Sequence, residues 1–226
     1  MKIAIACSKS WFLDFQKKSI KNFFLIKNNK ELTHKFLKKN KIKYIFFPHW
    51  SYKIPKKIYQ NFECIIFHTG NLPNHRGGSP IQNLIIRGFK HSYVNALKAE
   101  KKLDAGPIYI RKKISLAGSL DEILFRISKK ILIMIKYIVR KKPKPKNQSG
   151  RITFFKRIDR NNSMIDIKIS SIEKLYDKIR MLDGKDYPNA NFNINNFNLS
   201  FKKAVKQNNK IYVSCVIKKL KKNKIS

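Results

Sequence analysis

The first part of the chain alternates short apolar segments with amphipathic ones. Apolar runs rich in β-branched or aromatic side chains predict buried strands at residues 1–7, 24–27, 43–47 and 63–67. Apolar positions at helical spacing predict helices between them, at residues 11–23, 31–39 and 54–59. Ser8 and Ser10 are capping residue types and would begin the first helix. This alternation predicts an α/β fold with a mostly parallel sheet and flanking helices.

The pattern continues with a helix, two strands and a long helix. Residues 80–87 predict a helix that Gly88 would end. Strands are expected at residues 93–98 and 108–114, with a turn at Asp104-Ala-Gly-Pro between them. From Leu120 to Ile138, apolar residues recur at helical spacing, which indicates an amphipathic helix packed on the sheet.

A basic segment with two prolines divides the chain. Pro143 and Pro145 prevent the long helix from continuing, and the surrounding charges favour solvent, so residues 143–150 are interpreted as a linker. Residues 1–142 would then form the main domain, and residues 151–226 a small β-rich C-terminal subdomain. Within that subdomain we expect a helix at 171–181, strands at 191–192, 198–205 and 211–217, and a basic tail.

The charge of the chain is extreme, with 51 Lys and Arg residues against 13 Asp and Glu residues and a net charge of +38. A surface selected for polyanions is one explanation. Compositional bias is the favoured one, because the excess is nearly all Lys and accompanies heavy use of Ile and Asn. A nucleic-acid partner is therefore not expected from charge alone, although a positive field would attract any anionic substrate.

Cysteine spacing and hydropathy bear on the location of the protein. Cys7, Cys64 and Cys215 lie far apart and have no metal-ligand spacing, which favours free thiols in a reducing cytoplasm. The apolar run at residues 1–7 is too short for a signal peptide, and charges interrupt residues 123–139. We expect a soluble cytoplasmic protein without a membrane segment; its oligomeric state stays open and is compatible with a homodimer.

Two short segments carry candidate chemistry. Residues 67–82 read Phe-His-Thr-Gly-Asn-Leu-Pro-Asn-His-Arg-Gly-Gly-Ser-Pro-Ile-Gln, and residues 103–108 read Leu-Asp-Ala-Gly-Pro-Ile. His68 follows a strand and Asp104 precedes a turn, so both can lie at one edge of the sheet. An imidazole paired with a carboxylate suits proton transfer near neutral pH. The residues alone leave two interpretations: a catalytic pair, or a structural histidine beside a turn-capping aspartate.

The pattern His-x-x-x-Leu-Pro-x-x-x-Gly-x-x-Pro-Ile-Gln, followed by Leu-Asp-x-Gly, resembles the formyltransferase family. The likeness runs from about residue 43 to 116, with weaker similarity at 155–160 and 187–190. It implies a Rossmann-like catalytic domain over residues 1–142, 10-formyltetrahydrofolate as the cosubstrate and no metal. It also implies that His68 stabilises the oxyanion formed when an amine attacks the formyl carbon, and that Asp104 holds His68 and relays the amine proton.

One position departs from the family pattern. The family has an asparagine two residues before the histidine, whose amide donates to the formyl oxygen, whereas this chain has Ile66. Asn71, Gln82 and Asn83 are the nearest replacement donors in the sequence. Without a replacement, either the oxyanion depends more heavily on His68 or the chain is a pseudoenzyme.

The resemblance also implies roles for the flanking loops. Phe47, Pro48, Trp50 and Leu103 would line the pterin pocket, because a flat aromatic amide suits apolar walls. The acceptor would contact Arg76, Gly77, Gly78, Gln82 and Asn83. His49 and His75 are interpreted as loop histidines, and His34 and His91 as surface residues.

The details of the resemblance indicate which amine would accept the formyl group. About 75 residues after the linker are few for a tRNA-binding domain. The residues of the two motifs are most similar to those of bacterial nucleotide-sugar N-formyltransferases. We therefore expect a UDP-linked 4-amino-4,6-dideoxy sugar of surface-polysaccharide synthesis, such as those on the pseudaminic acid route. Lys9, Arg76 or Arg180 would meet its diphosphate, and Trp11 or Tyr187 would stack on its uracil or sugar. A methionyl-tRNA formyltransferase-like enzyme and a non-catalytic polyanion binder on the same scaffold are the competing hypotheses.

Overall fold

The computed structural model describes residues 2–158 and 161–220. Strands and helices alternate through its first part in the order β1 (Lys2–Ala6), α1 (Ser10–Gln16), β2 (Phe24–Ile26), α2 (His34–Lys39), β3 (Ile42–Pro48), α3 (Lys56–Asn61), β4 (Glu63–His68), β5 (Arg76–Gly77), α4 (Pro80–Ile86), β6 (His91–Lys98), β7 (Ile108–Ser115) and α5 (Leu120–Lys141). The second part contains β8 (Phe154–Phe155), a 3-10 turn (Asn161–Ser163), α6 (Ile172–Arg180), β9 (Asn191–Ile194), β10 (Phe197–Gln207) and β11 (Lys210–Lys219).

A six-stranded sheet in the order β2-β1-β3-β4-β6-β7 forms the centre of the molecule. The first four strands pair in parallel, and β6 and β7 are antiparallel to their neighbours. The predicted mixed α/β fold with a mostly parallel sheet is therefore confirmed. The carboxyl ends of β1, β3 and β4 share one edge, where ligands bind in sheets of this kind.

Helix α5 covers one face of the sheet and begins at a capping box. The hydroxyl of Ser119 accepts from the backbone of Glu122, whose carboxylate accepts in return from the backbone of Ser119. Ile123, Ile127 and Ile131 are fully buried on its inner stripe. Each such side chain contributes about 1.5–3 kcal/mol through burial, so the apolar period holds the helix on the sheet.

Helix α1 differs from its prediction at both ends. It ends at Gln16 rather than at residue 23, and the chain continues in turns in which the backbone N–H groups of Ser19 and Ile20 donate to the carbonyl of Gln16. The Gln16 amide turns inward and donates to Ser128 across 2.7 Å. At its start, neither Ser8 nor Ser10 caps the helix through its own side chain. Instead, the backbone N–H and the hydroxyl of Ser10 both donate to the carboxylate of Asp186, at 3.2 and 3.0 Å. The acceptor lies in a distant part of the sequence, which local capping rules cannot find.

The C-terminal part contains a three-stranded antiparallel sheet in the order β11-β10-β9, with α6 packed against β10. The segment expected to be a linker contacts the main sheet, since Lys146 and Ile108 exchange backbone hydrogen bonds at 2.7 and 2.9 Å. Strand β8 then pairs with β5, placing Phe155 beside Gly77. A Cβ atom at Gly78 would lie 2.7 Å from Cα of Arg157, so this close approach requires glycine.

Over residues 2–158 and 161–220, no helix combines the length and the apolar character needed to cross a bilayer.

Candidate active site

His68 and Asp104 meet at the carboxyl edge of the sheet. The Nδ1 atom of His68 lies 3.4 Å from Oδ2 of Asp104, and the two residues are only 6% and 7% exposed. The other ring nitrogen of His68, Nε2, lies 2.7 Å from the carbonyl oxygen of His75. Both neighbours of the ring are acceptors, and only the doubly protonated imidazolium can donate to both of them. The pair is therefore arranged to hold and move a proton.

The backbone around the pair is tightly constrained. Asp104 has a left-handed conformation, with φ of 50°, and its Oδ2 atom accepts from the backbone N–H of Gly77 at 3.0 Å. The Asn95 amide donates to the carbonyls of His68 and Gly70, at 3.1 and 2.6 Å. A Cβ atom at Gly70 would lie 2.8 Å from Nε2 of His68. The turn after β4 thus depends on glycine and on a buried amide to place the imidazole.

A residue of the expected linker completes this support. The Gln148 amide donates to the carbonyls of Asp104 and Gly106, both at 2.8 Å. Its oxygen accepts from Nη2 and Nε of Arg76, at 2.8 and 3.3 Å. Arg76 is therefore a buried supporting residue. The sequence predicted that it would bind the acceptor, but it is not among the residues that line the cavity over His68 and Asp104. No sequence signal marked Gln148, because its role comes from chain segments that are far apart in sequence.

A cavity of about 590 Å³ opens over the pair. Several residues predicted to bind ligands line it, namely Trp50, Gly77, Gly78, Gln82 and Leu103. Other predicted residues do not, namely Phe47, Pro48, Arg76 and Asn83. Phe47 is fully buried in the hydrophobic core beneath the sheet edge. The Asn83 amide is used structurally, since it donates to the carbonyls of Gly78, Ser79 and Lys156.

The two histidines interpreted as loop residues differ in position. His49 lines the cavity and packs edge-on against Trp11, with ring centroids 4.4 Å apart. Burial is the main cause that lowers the pKa of His49 to about 3, and the charges of Lys9 and His68 contribute to the same shift. His75 does not line the cavity, and its ring stacks on Phe155 at 4.7 Å. Burial, followed by the charge of Arg87, lowers the pKa of His75.

The far wall of the cavity is formed by residues of the C-terminal part of the chain together with Lys9 from the loop after β1. Lys9, Arg157, Asp186 and Tyr187 lie there, and Nζ of Lys9 stands 5.4 Å from the ring centroid of Tyr187. The sequence indicated Lys9 and Tyr187 but not Arg157. Two other candidates lie elsewhere, because Trp11 belongs to the core and the guanidinium of Arg180 donates to Asp177 and to two backbone carbonyls.

The chemistry available at the site is proton transfer combined with anion stabilisation. Among the described residues, no cluster of three or more His, Cys, Asp or Glu side chains is arranged to hold a metal ion. The buried His68–Asp104 pair, an apolar wall that includes Trp50, and the cations Lys9 and Arg157 suit an anionic substrate with a polar reacting centre.

Known proteins match the chain over both of its parts. The family model described as formyl transferase matches residues 12–129, and the model described as methionyl-tRNA formyltransferase, C-terminal domain, matches residues 160–218. The structure of a methionyl-tRNA formyltransferase from Clostridium thermocellum is 40% identical, with a TM-score of 0.92, over 97% of this chain and 99% of that one.

Two further relatives match at lower similarity. A methionyl-tRNA formyltransferase from Thermodesulfovibrio yellowstonii is 31% identical over 139 residues, which are 56% of this chain and 44% of the relative. The chain thus spans about half the length of the curated relatives that it matches. A sugar N-formyltransferase from Shewanella sp. is 15% identical, with a TM-score of 0.66, over 98% of this chain and 99% of that one. At that identity, the likeness concerns the fold alone.

Proposed function

The chain belongs to the formyl transferase family, and we propose that it moves a formyl group from 10-formyltetrahydrofolate to a primary amine. The observation that carries this proposal is the buried His68–Asp104 pair at the base of a cavity of about 590 Å³. Cavities of this size hold drug-sized ligands. Trp50 and Leu103 supply an apolar wall suited to a pterin, and the indole Nε1 of Trp50 has no hydrogen-bond partner among the described residues.

His68 and Asp104 have different roles in the transfer. As the neutral amine attacks the formyl carbon, Nε2 of His68 exchanges its hydrogen bond to the carbonyl of His75 for a charge-assisted hydrogen bond to the oxygen on which negative charge develops. Asp104 keeps the imidazolium oriented and takes part, through water, in moving the proton from the amine to the departing nitrogen. Proton transfer of this kind contributes a factor of about 10²–10⁴ to the rate.

For the acceptor, we favour the aminoacyl end of a charged initiator tRNA. The 40% identical relative and the C-terminal family model both bear the methionyl-tRNA formyltransferase description. The size argument for a sugar acceptor loses its weight, because that relative's solved chain is matched over 99% of its length. The net charge of +38 also suits a polyanion.

A nucleotide-linked amino sugar is the second candidate acceptor. The likeness of fold to a sugar N-formyltransferase extends over nearly the whole of both chains. Lys9 and Arg157 on the far wall of the cavity can meet the phosphates of either acceptor.

The proposal is tested by incubating the full chain with 10-formyltetrahydrofolate and one of two acceptors. These are methionyl initiator tRNA and a UDP-linked 4-amino-4,6-dideoxy sugar, with uncharged tRNA and the N-acetylated sugar as controls. Transfer to the methionyl amine alone supports the favoured acceptor, and transfer to the sugar alone replaces it with the second candidate. Absence of transfer to either acceptor, despite folate binding, would support a non-catalytic binder.

A further inference from the structure

We propose that Gln82 donates the hydrogen bond to the formyl oxygen that Ile66 cannot provide. The inference rests on the proposed formyl transfer and names a further catalytic residue for it. Ile66 lies two residues before His68 on β4, so both side chains point to the same face of the sheet, and both line the cavity. A developing oxyanion needs more than one donor, and isoleucine offers none.

Gln82 presents an unused donor to the same cavity. It lies in the first turn of α4 and lines the cavity with an exposure of only 3%, yet its Nε2 atom has no hydrogen-bond partner within the described residues. Burial raises the pKa of Tyr187, and the nearby amide of Gln82 acts in the opposite direction. An amide nitrogen carries two N–H groups, so one stays available even when the other faces Tyr187. Leaving a buried donor unpaired is costly, which points to a ligand as its partner.

The other amides near the motif are excluded by their contacts. Asn71 is exposed, lies outside the cavity, and accepts from Nη1 of Arg111 at 3.2 Å. The Asn83 amide donates to three backbone carbonyls, and its oxygen accepts from Nη1 of Arg87 at 2.7 Å. Neither can turn to a ligand without breaking these bonds.

Two aromatic side chains also present unpaired nitrogens to the cavity, but their packing assigns them to its wall. His49 stands against Trp11, with ring centroids 4.4 Å apart. Trp50 packs edge-on against Phe47 and Tyr52, with centroids 5.8 and 5.2 Å apart. These ring contacts hold both side chains in the cavity wall by aromatic packing.

The backbone also ties Gln82 to the catalytic pair. Gly77 donates its N–H to the carboxylate of Asp104 at 3.0 Å, and only four residues separate Gly77 from Gln82. Between them, the hydroxyl of Ser79 accepts from the backbone of Ile158 at 3.0 Å. The segment that leads to Gln82 is therefore held by two hydrogen bonds, one at Gly77 and one at Ser79. These bonds restrict where Gln82 can lie relative to Asp104.

Folate binding tests this role independently of the acceptor. Titration calorimetry would compare tetrahydrofolate with a stable 10-formyl-dideazafolate and its unformylated parent, using the wild-type chain and Gln82→Met, which keeps the shape and removes the donor. We expect the preference for the formylated dideazafolate over its parent to fall about fivefold in the variant. An unchanged preference would overturn the inference and leave the proposed function intact. Failure of the wild-type chain to bind any of these folates would overturn the proposed function itself.

Turnover then separates a catalytic role from an acceptor-binding role. In Gln82→Met, kcat should fall by about 10²–10³ with little change in the KM of the acceptor. Adding Ile66→Asn should recover a large part of that loss, because an amide then returns to the strand beside His68. The exposed Asn71→Ala variant should keep wild-type rates, and thermal melting would show that all variants fold. A raised acceptor KM with normal kcat would overturn the inference and assign Gln82 to acceptor binding.

Discussion

The side chain of Gln148 donates a 2.8 Å hydrogen bond to the main-chain carbonyl of Asp104, joining a residue beyond the long helix to the residue that we propose as the partner of His68 in catalysis. The same amide holds the carbonyl of Gly106, and its oxygen receives the guanidinium of Arg76. Gln148 thereby satisfies a buried cation and fixes a backbone segment that has a left-handed residue at its start. Gln148 therefore contributes both to stability and to the position of Asp104.

Two substitutions at Gln148 should separate these effects. Gln148→Leu leaves Arg76 buried without its acceptor, and we expect it to lower the free energy of unfolding by about 1–3 kcal/mol and kcat by about tenfold. Gln148→Glu restores a partner for Arg76 but cannot donate to the carbonyl of Asp104 when ionised. It should recover the part of the stability that depends on pairing Arg76, whereas the carbonyls of Asp104 and Gly106 lose their donor and kcat stays low. Chemical denaturation and steady-state rates measure the two quantities, and equal recovery of both by Glu would contradict the assignment.

His68 and Asp104 should both be required for formyl transfer. His68→Ala and Asp104→Asn should each lower kcat by about 10²–10⁴ while the protein remains folded. Asp14→Asn is a matched control, because Asp14 is an exposed carboxylate whose only described ion pair is with Lys185. Single-turnover formyl transfer is the measurement. Near-normal rates in either pair variant would remove that residue from the mechanism.

Gly70 should be intolerant of any side chain for a local steric reason. A Cβ atom there would lie 2.8 Å from both Nε2 of His68 and the carbonyl oxygen of His75, so Gly70→Ala should displace the imidazole and lower kcat by about 10²-fold. Gly88→Ala is the control. It places a side chain at φ of 76° with no atom within 4 Å, and should cost about 1 kcal/mol of stability without loss of rate. Equal rates in the two variants would contradict the steric argument.

The sequence predicted those elements that depend on local patterns. The apolar period from Leu120 to Ile138 gave α5 to within a few residues, and the motif spacing identified His68 and Asp104, which lie together in the structure. The alternation of strands and helices along the chain sufficed to predict the parallel strands of the central sheet. Each of these strands could be recognised because a buried parallel strand is apolar along its whole length.

The parts that the sequence missed depend on contacts between distant residues. Arg76 was expected to bind the acceptor, but Gln148 holds it, and the run of Pro and Lys around Gln148 resembles a solvated connector. Ser10 was expected to cap α1 through its own side chain, whereas Asp186 supplies the acceptor. Phe47 was placed in the pterin pocket because the family resemblance assigns this loop to the pocket wall, yet its side chain lies in the core. In each case tertiary packing, which has no local signature, determined the outcome.

Acid sensitivity provides the last prediction. Burial, together with the charges of Lys9 and His68, lowers the pKa of His49 from 6.5 to about 3, so the folded state keeps this ring neutral while the unfolded chain binds a proton below pH 6.5. Protonation therefore favours unfolding as the pH falls from about 7 toward 3, and the shift is worth about 2 kcal/mol at pH 5. His49→Asn removes the titration and tolerates the φ of 53° at this position. Denaturant unfolding at pH 7 and pH 5 should show a stability loss about 2 kcal/mol smaller in the variant. His75 titrates in both proteins and cancels from the comparison, so an identical loss in the two would mean that His49 is not held neutral.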